Sequence, residues 1–262
     1  MKMNFGVCCL SVIPLRAESS DKSEMVSQLL FGETFIILSL SKGWAKIVID
    51  HDNYEGWIDE KQFISLSSEE HSQILSYPKC YSTELVHTLN LKNAQPITIL
   101  PGSILYADSK SDFKLGDTTF SFTGKSIKTD IRPTTESMIM NAFLYLNSPY
   151  LWGGRTPFGI DCSGFVQIVA RLTGISLPRD TKQQAEEGEM INLISESKPG
   201  DLAFFDNAEG RIIHVGILLD NAKIIHASGK VRIDTIDHQG IFKEEIKKYS
   251  HQLRVIKRII HQ

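Results

Sequence analysis

One cysteine and two histidines offer chemistry in this chain. Cys162 stands in "GIDCSGFVQIVARLTG", between an acid and a hydroxyl, where a helical pattern begins. Asp161 is placed to cap that helix, Phe165, Val166, Ile168, Val169 and Leu172 make one apolar stripe, and Gly174 supplies the stop. A thiol in the first turn feels the positive end of the macrodipole and unpaired backbone N–H groups, both of which favour thiolate. The same N–H groups can face the oxygen of a tetrahedral intermediate. Against this, cysteine is among the most buried residue types and an isolated one is usually inert. Alone, Cys162 reads as structural.

A base changes that balance, and "RIIHVGILLDNAKIIHASG" carries two, His214 and His226. If Leu219 pairs with Lys223 across a three-residue loop, Gly216 lies opposite His226 and His214 is its diagonal neighbour on the same face. That diagonal spans roughly 7–8 Å between backbones, within reach of two imidazoles. A two-residue loop at Asn221 and Ala222 would put the rings on opposite faces, so a catalytic pair requires the odd loop. Zinc held by Cys162, His214 and His226 is the competing chemistry, but no close H-E-x-x-H or C-x-x-C pair supports it. No metal or cofactor is expected.

The elements around these residues suggest three regions. With 262 residues, 42% hydrophobic and 23% charged, the chain has the composition of an ordinary globular protein with room for more than one domain. A formal net charge of -3 gives no broad basic field for nucleic acid or an anionic membrane. Cys8, Cys9, Cys80 and Cys162 match neither a disulfide framework nor a paired zinc site, so reduced thiols are expected, the first three without chemistry. "MKMNFGVCCLSVIPL" begins like a lysine-led leader, but Gly6 and Pro14 interrupt the apolar run and no small-x-small cleavage site follows. A cytoplasmic location is the expectation.

Residues 1–66 contain short β-type runs, "VCCLSVIPL", "ETFIILSL", "WAKIVI" and "GWID", separated by polar turns. The stretch "GETFIILSLSKGWAKIVIDHDNYEGWI" resembles the bacterial SH3-like barrel, in which Trp44 and Trp57 would serve packing. In residues 67–131 a polar connector or short helix precedes a second β-type region, "ITILPGSILY" and "TTFSFTGKSI", a divergent second barrel without the Gly-Trp signals. From 132 to 262 helices come first: "PTTESMIMNAFLYLN", with Thr134 or Thr135 as cap and Ile139, Met140, Phe143 and Leu144 at helical spacing. Next are the Cys162 helix and "RDTKQQAEEG", with Asp180 as cap, Gln183 three residues on and Gly188 as stop. Five β-type runs, "LAFF", "RIIHVGILL", "KIIHAS", "VRIDTI" and "LRVIKRII", complete an α+β domain with a mainly antiparallel sheet.

The string "SPYLWGGRTPFGIDCSGFVQIVARLTGISLPRDTKQQAEEG", followed by "KPGDLAFF", "HVGILL" and "IIHASG", resembles the NlpC/p60 family of papain-like cell-wall cysteine peptidases across nearly all of 132–262. The resemblance implies a papain-like fold of helices packed on an antiparallel sheet, preceded by one or two small SH3-like barrels. It implies Cys162 as nucleophile, His214 as general base and acid, and His226 as the residue that orients His214. Ile160 and Phe165 depart from the usual pattern without removing a chemical group. Members with a leading SH3-like barrel are γ-D-glutamyl-L-diamino-acid endopeptidases of the dipeptidyl-peptidase VI type, acting on murein peptides with a free N-terminal L-alanine. Asp161 would hold that ammonium, with Tyr54 and Glu33 closing over it. Tyr150, Trp152, Ser163, Asp180 and Thr181 match positions that line the pocket, although Tyr150 and Trp152 serve packing equally well and Asp180 capping. Arg155 and Arg179 would either meet substrate carboxylates or lie solvated on the surface. The expected enzyme recycles murein peptides; the rivals are a secreted autolysin and a silent peptide-binding module.

Overall fold

The computed structural model describes residues 4–91, 94–106 and 112–260. The lysine-led start of the N-terminal stretch, residues 1–3, lies outside them. The chain divides into two compact units, Met1–Ile131 and Arg132–Gln262. Among the described residues no helix is long and apolar enough to cross a membrane.

The first unit is built on a seven-stranded antiparallel sheet in the spatial order Met25–Leu30, Val12–Arg16, Glu55–Asp59, Trp44–Ile49, Thr34–Ser41, Asn4–Cys8, Phe63–Leu66. Alternation explains its core, where Ile13, Leu15, Phe35, Ile37, Ala45, Ile47, Ile49 and Ile58 pack on one face. Two expectations change here. "VCCLSVIPL" is two strands, broken after Cys8 and resumed at Val12. "MVSQLL" is a strand in its own right, although Ser27 and Gln28 interrupt its apolar pattern; both are buried. Trp44 and Trp57 are half-buried.

Residues beyond Leu66 begin with the helix Ser68–Ser76, closed by a Ser67–Glu70 capping box. A three-stranded sheet and a four-stranded sheet follow, the second formed by Ala94–Ile99, His87–Leu91, Thr118–Ser121 and Phe113–Leu115. Their apolar faces share one core with the opening strands: Phe5, Val7 and Phe31 pack with Leu89, Ile99, Phe113 and Phe120. Tyr106 Oη donates to the Gly32 carbonyl at 2.7 Å, and the Ile104 N–H donates to the Phe31 carbonyl at 2.8 Å, so backbone bonds tie the two stretches together as well.

In the second unit the helix Thr135–Phe143 is capped by Thr134. Its buried residues are Met138 and Ala142, not the expected stripe: Met140 is 71% exposed, and Phe143 and Leu144 are exposed too. The helix Cys162–Leu172 lies between that helix and the sheet and is buried along all its residues, so its apolar stripe understates its enclosure. It stops at Gly174, at φ 87°, with the Ile175 N–H returning to the Ala170 carbonyl. The sheet runs in the order Glu189–Ile191, Lys248–Arg258, Leu202–Asp206, Ile212–Leu218, Lys223–Ser228, Lys230–Ile236, Gly240–Lys243. Gly240–Lys243 pairs back onto Lys248–Arg258, which closes six of the strands into a barrel. Both histidines lie on neighbouring strands of that barrel, beside the buried helix that begins at the cysteine.

Candidate active site

Asp161 caps the helix as its sequence position suggests: Oδ1 accepts from the Gly164 N–H at 2.7 Å. Cys162 is therefore the first helical residue, on a helix packed against the strand Ile212–Leu218 that carries His214, and the Val215 N–H, next to His214, is among the groups that favour its thiolate. The Gly164 N–H is occupied by the cap and the Phe165 N–H by the Asp161 carbonyl. The first-turn N–H groups of Cys162 and Ser163 have no partner among the described residues.

The helix start does not make a resting thiolate. Burial first, and the Asp161 carboxylate second, push the Cys162 thiol up to about 11, against the opposing pull of the Val215 N–H, Thr181 and Arg179. Desolvation of the charged form thus outweighs the dipole expected from the sequence. His214 is held well below its ordinary range, by burial first and by neighbouring His226, His251 and Lys243 next. At rest the site therefore presents a thiol and a neutral imidazole.

The hairpin has the odd loop: the Leu219 N–H donates to the Lys223 carbonyl, and Gly216 faces His226. His214 Nε2 and His226 Nδ1 are 2.8 Å apart, with the rings nearly perpendicular. Gly216 is required there, because a Cβ would come within 2.8 Å of His226 Cβ and 2.7 Å of Ile224 Cδ1. Two further residues join the pair. His226 Nε2 lies 2.9 Å from Asp234 Oδ2, and His251 stacks on His214 at 4.1 Å between centroids. Asp234 was legible in principle: continuing the pairing around Gly229 places Arg232 opposite His226 and Asp234 on its diagonal. His251 lies two strands away, beyond Phe205, which pairs with His214 on one side and with Leu253 on the other, so a long-range strand pairing brings it near.

The remaining expected site residues divide into buried framework and exposed rim. Asp161 takes five donors, from Gly164, Ser163 and Arg179 on Oδ1 and from Gly153 and Arg179 on Oδ2, which fill the roughly four lone-pair positions of a carboxylate. Ser163 also accepts from Arg179 Nη1 at 2.7 Å. Arg179 and Arg155 are buried, so neither is the solvated surface group that was one expectation; Arg179 forks onto Asp161. Thr181 Oγ1 lies 3.9 Å from the sulfur, on a short helix pinned to the nucleophile helix by Gln184 Nε2 donating to the Ser163 carbonyl. Asp180 occupies the N-cap position but makes no capping bond, correcting the capping expectation. Burial, then the nearby Cys162 and Asp161, push the Tyr150 phenol up to about 12, so it stays a donor at neutral pH. Trp152 is 60% exposed.

In the first unit Glu33 is buried and accepts from the Leu30 N–H at 2.9 Å. His51 bridges Glu33 and Asp52, while half-buried Tyr54 packs on the core of the seven-stranded sheet of that unit. Among the described residues no group of three or more His, Cys, Asp or Glu side chains is disposed to hold a metal ion.

Comparison with known proteins agrees with this arrangement. The NlpC/P60 family model matches residues 147–250, and the model of the bacterial dipeptidyl-peptidase Sh3 domain matches residues 15–63. The chain is 31% identical over 241 residues to the gamma-D-glutamyl-L-lysine dipeptidyl-peptidase of Bacillus subtilis (strain 168), covering 84% of this chain and 78% of that one. It is 28% identical to dipeptidyl-peptidase 6 of Lysinibacillus sphaericus, over 86% of this chain and 89% of the other. A crystal structure of an NlpC/P60 family protein from Bacillus cereus ATCC 10987 superposes with a TM-score of 0.81 at 18% identity, covering 98% of this chain and all of that one, and so shares the fold. With Cys162 at a helix start and a hydrogen-bonded histidine pair on the adjoining strands, the chain belongs to the NlpC/P60 family and is a cysteine endopeptidase acting on peptidoglycan peptides.

Proposed function

We propose that the enzyme hydrolyses the γ-D-Glu to L-diamino-acid bond of peptidoglycan stem peptides that carry a free N-terminal L-Ala, in the cytoplasm, as a step of murein peptide recycling. The observation that carries the chemistry is Cys162 at the start of a buried helix packed on the strand of His214, whose Nε2 lies 2.8 Å from His226 Nδ1. Cys162 attacks the amide carbonyl as His214 takes its proton. The imidazolium then protonates the leaving amine, and water hydrolyses the thioester. The substrate class is supported by the relatives' activity and by the matching Sh3 domain. The compartment is supported by four buried cysteines whose spacing matches no disulfide framework. Within the second unit Asp161 is the candidate reader of the amine, and its filled oxygen positions make that role a demanding one.

The test is incubation with L-Ala-γ-D-Glu-L-Lys and its diaminopimelate analogue, each free and N-acetylated, alongside Cys162→Ala. Release of L-Ala-γ-D-Glu from the free peptides, abolished by the substitution, is the expected result. Cleavage that survives Cys162→Ala overturns the mechanism, and equal cleavage of acetylated peptide overturns the free-amine requirement.

A further inference from the structure

We propose that Asp234 is a positioning residue for the proton transfer: it holds His226, and through it His214, in the one pair of tautomers that leaves a lone pair on His214 Nδ1 for the Cys162 thiol. This rests on the cysteine-peptidase reading of the site but not on the identity of the peptide.

Donors and acceptors alternate along a buried line from Asp234 through His226 to His214. An ionised carboxylate only accepts, so across 2.9 Å His226 Nε2 must donate to Asp234 Oδ2. A neutral imidazole has a single N–H, which makes His226 Nδ1 an acceptor. His214 Nε2, 2.8 Å away, must then be the donor, and its own Nδ1 is left with the lone pair. Of the charged groups that face His226, Asp234 and Arg232 on the neighbouring strand and Lys243 beyond it, only Asp234 can accept a proton. His251 and Lys243 are the others that face His214. In the transfer the S–H bond breaks and an Nδ1–H bond forms, with the electron pair remaining on sulfur. The imidazolium keeps its Nε2–H on His226, so the line does not rearrange.

Arg232 decides what an isosteric change does. Its Nη2 donates to Asp234 Oδ1 at 2.6 Å, which commits that oxygen and leaves Oδ2 for His226. In Asp234→Asn the amide oxygen stays with Arg232, and the amide N–H faces His226 Nε2 as a donor. Both tautomers reverse, and His214 presents an N–H to the thiol where it needs a lone pair. Adding Arg232→Met frees the amide to turn its oxygen to His226 and restores the working tautomers.

The experiment measures alkylation of Cys162 by iodoacetamide as a function of pH in the full chain, with Cys162→Ala as background, together with kcat/KM on the free peptide and nitrogen-15 NMR of the imidazoles. Asp234→Asn is expected to slow alkylation at neutral pH by about a hundredfold or more, since general-base help of that size is lost. The His226 proton should move from Nε2 to Nδ1, and Asp234→Asn with Arg232→Met should recover at least about tenfold of the loss. A double variant no better than the single one overturns the proposal, as does Asp234→Asn alkylated within about threefold of the parent. Should Asp234→Asn fail to fold, the spectrum of the parent decides: Nε2–H on both rings supports the line, and any other pair overturns it. Because alkylation needs no peptide, failure to cleave the proposed substrate with the alkylation pattern intact would fault the substrate assignment alone.

Discussion

Two of the aspartate–arginine pairs in the second unit lie at the active site, and they do different things. Asp161 and Arg179 are both nearly inaccessible, and every oxygen position on the acid is filled by the helix cap, the Gly153 N–H, Ser163 and the guanidinium fork. This pair fixes where the helix begins and hence where Cys162 stands. Asp234 divides its oxygens instead, one to an Arg232 whose side chain is 22% exposed and one to His226. A buried acid saturated by framework donors is mainly structural, whereas one that keeps an oxygen for a titratable ring acts on the ring's protons.

The largest effect that sharpens this contrast is on stability. Arg179→Met leaves a buried carboxylate without its countercharge, and breaking such a pair costs about 3–5 kcal/mol. Arg232→Met breaks a more exposed contact whose acid retains His226, and should cost about 1–2 kcal/mol. Urea unfolding of the two variants measures both. Equal costs would mean that the pairs share one structural role, and the contrast would fail.

Next in size is a change that attacks the imidazole side without touching a charge. In Gly216→Ala the new methyl meets His226 Cβ, which cannot swing aside as a flexible chain end can, so the ring must shift by tenths of an ångström. Overpacking of this kind costs about 1–3 kcal/mol of stability. Misplacement of the relay should lower kcat/KM between about tenfold and a hundredfold, read by steady-state kinetics on the peptide. Unchanged kinetics with the expected loss of stability would show that the ring line tolerates displacement.

How much of this was legible follows from how local each signal is. The cap at Asp161, the stop at Gly174 and the facing of His214 and His226 depend on a few neighbouring residues and on strand parity, and all three are present. The same parity, carried one hairpin further, reaches Arg232 and Asp234. His251 could not be found this way, because its approach to His214 depends on the long-range pairing of Leu202–Asp206 with both Ile212–Leu218 and Lys248–Arg258. Burial was the other hidden quantity. The dipole at the helix start argued for a thiolate, yet the depth at which Cys162 lies reverses the outcome. For the helix Thr135–Phe143, the expected stripe of Ile139, Met140, Phe143 and Leu144 is not the buried face, because packing encloses Met138 and Ala142 instead.

The smallest effect tests whether the imidazole side is linked to protons in the folding equilibrium. His251 stacks on His214, its Nδ1 2.9 Å from Ser250 Oγ, and it is only partly buried. Burial first, then the charges of His226 and Lys243, lower it from 6.5 to about 4, against the upward pull of Asp234. The unfolded chain therefore binds more protons than the folded one between those values, and stability rises with pH across that window. Falling pH removes this contribution progressively from about 6.5 down to about 4, and below that no more is lost. In His251→Phe a ring still covers His214 but nothing titrates, so the acid loss should shrink by an amount that screening keeps under about 2 kcal/mol. His214 and His226 are lowered as well, so acid sensitivity persists in the variant. Urea unfolding of parent and variant across the window provides the measurement: their difference should be flat above about pH 6.5 and grow below it. Parallel curves would mean that His251 is not held neutral by its place against His214, and the proton linkage would then belong to the hydrogen-bonded line alone.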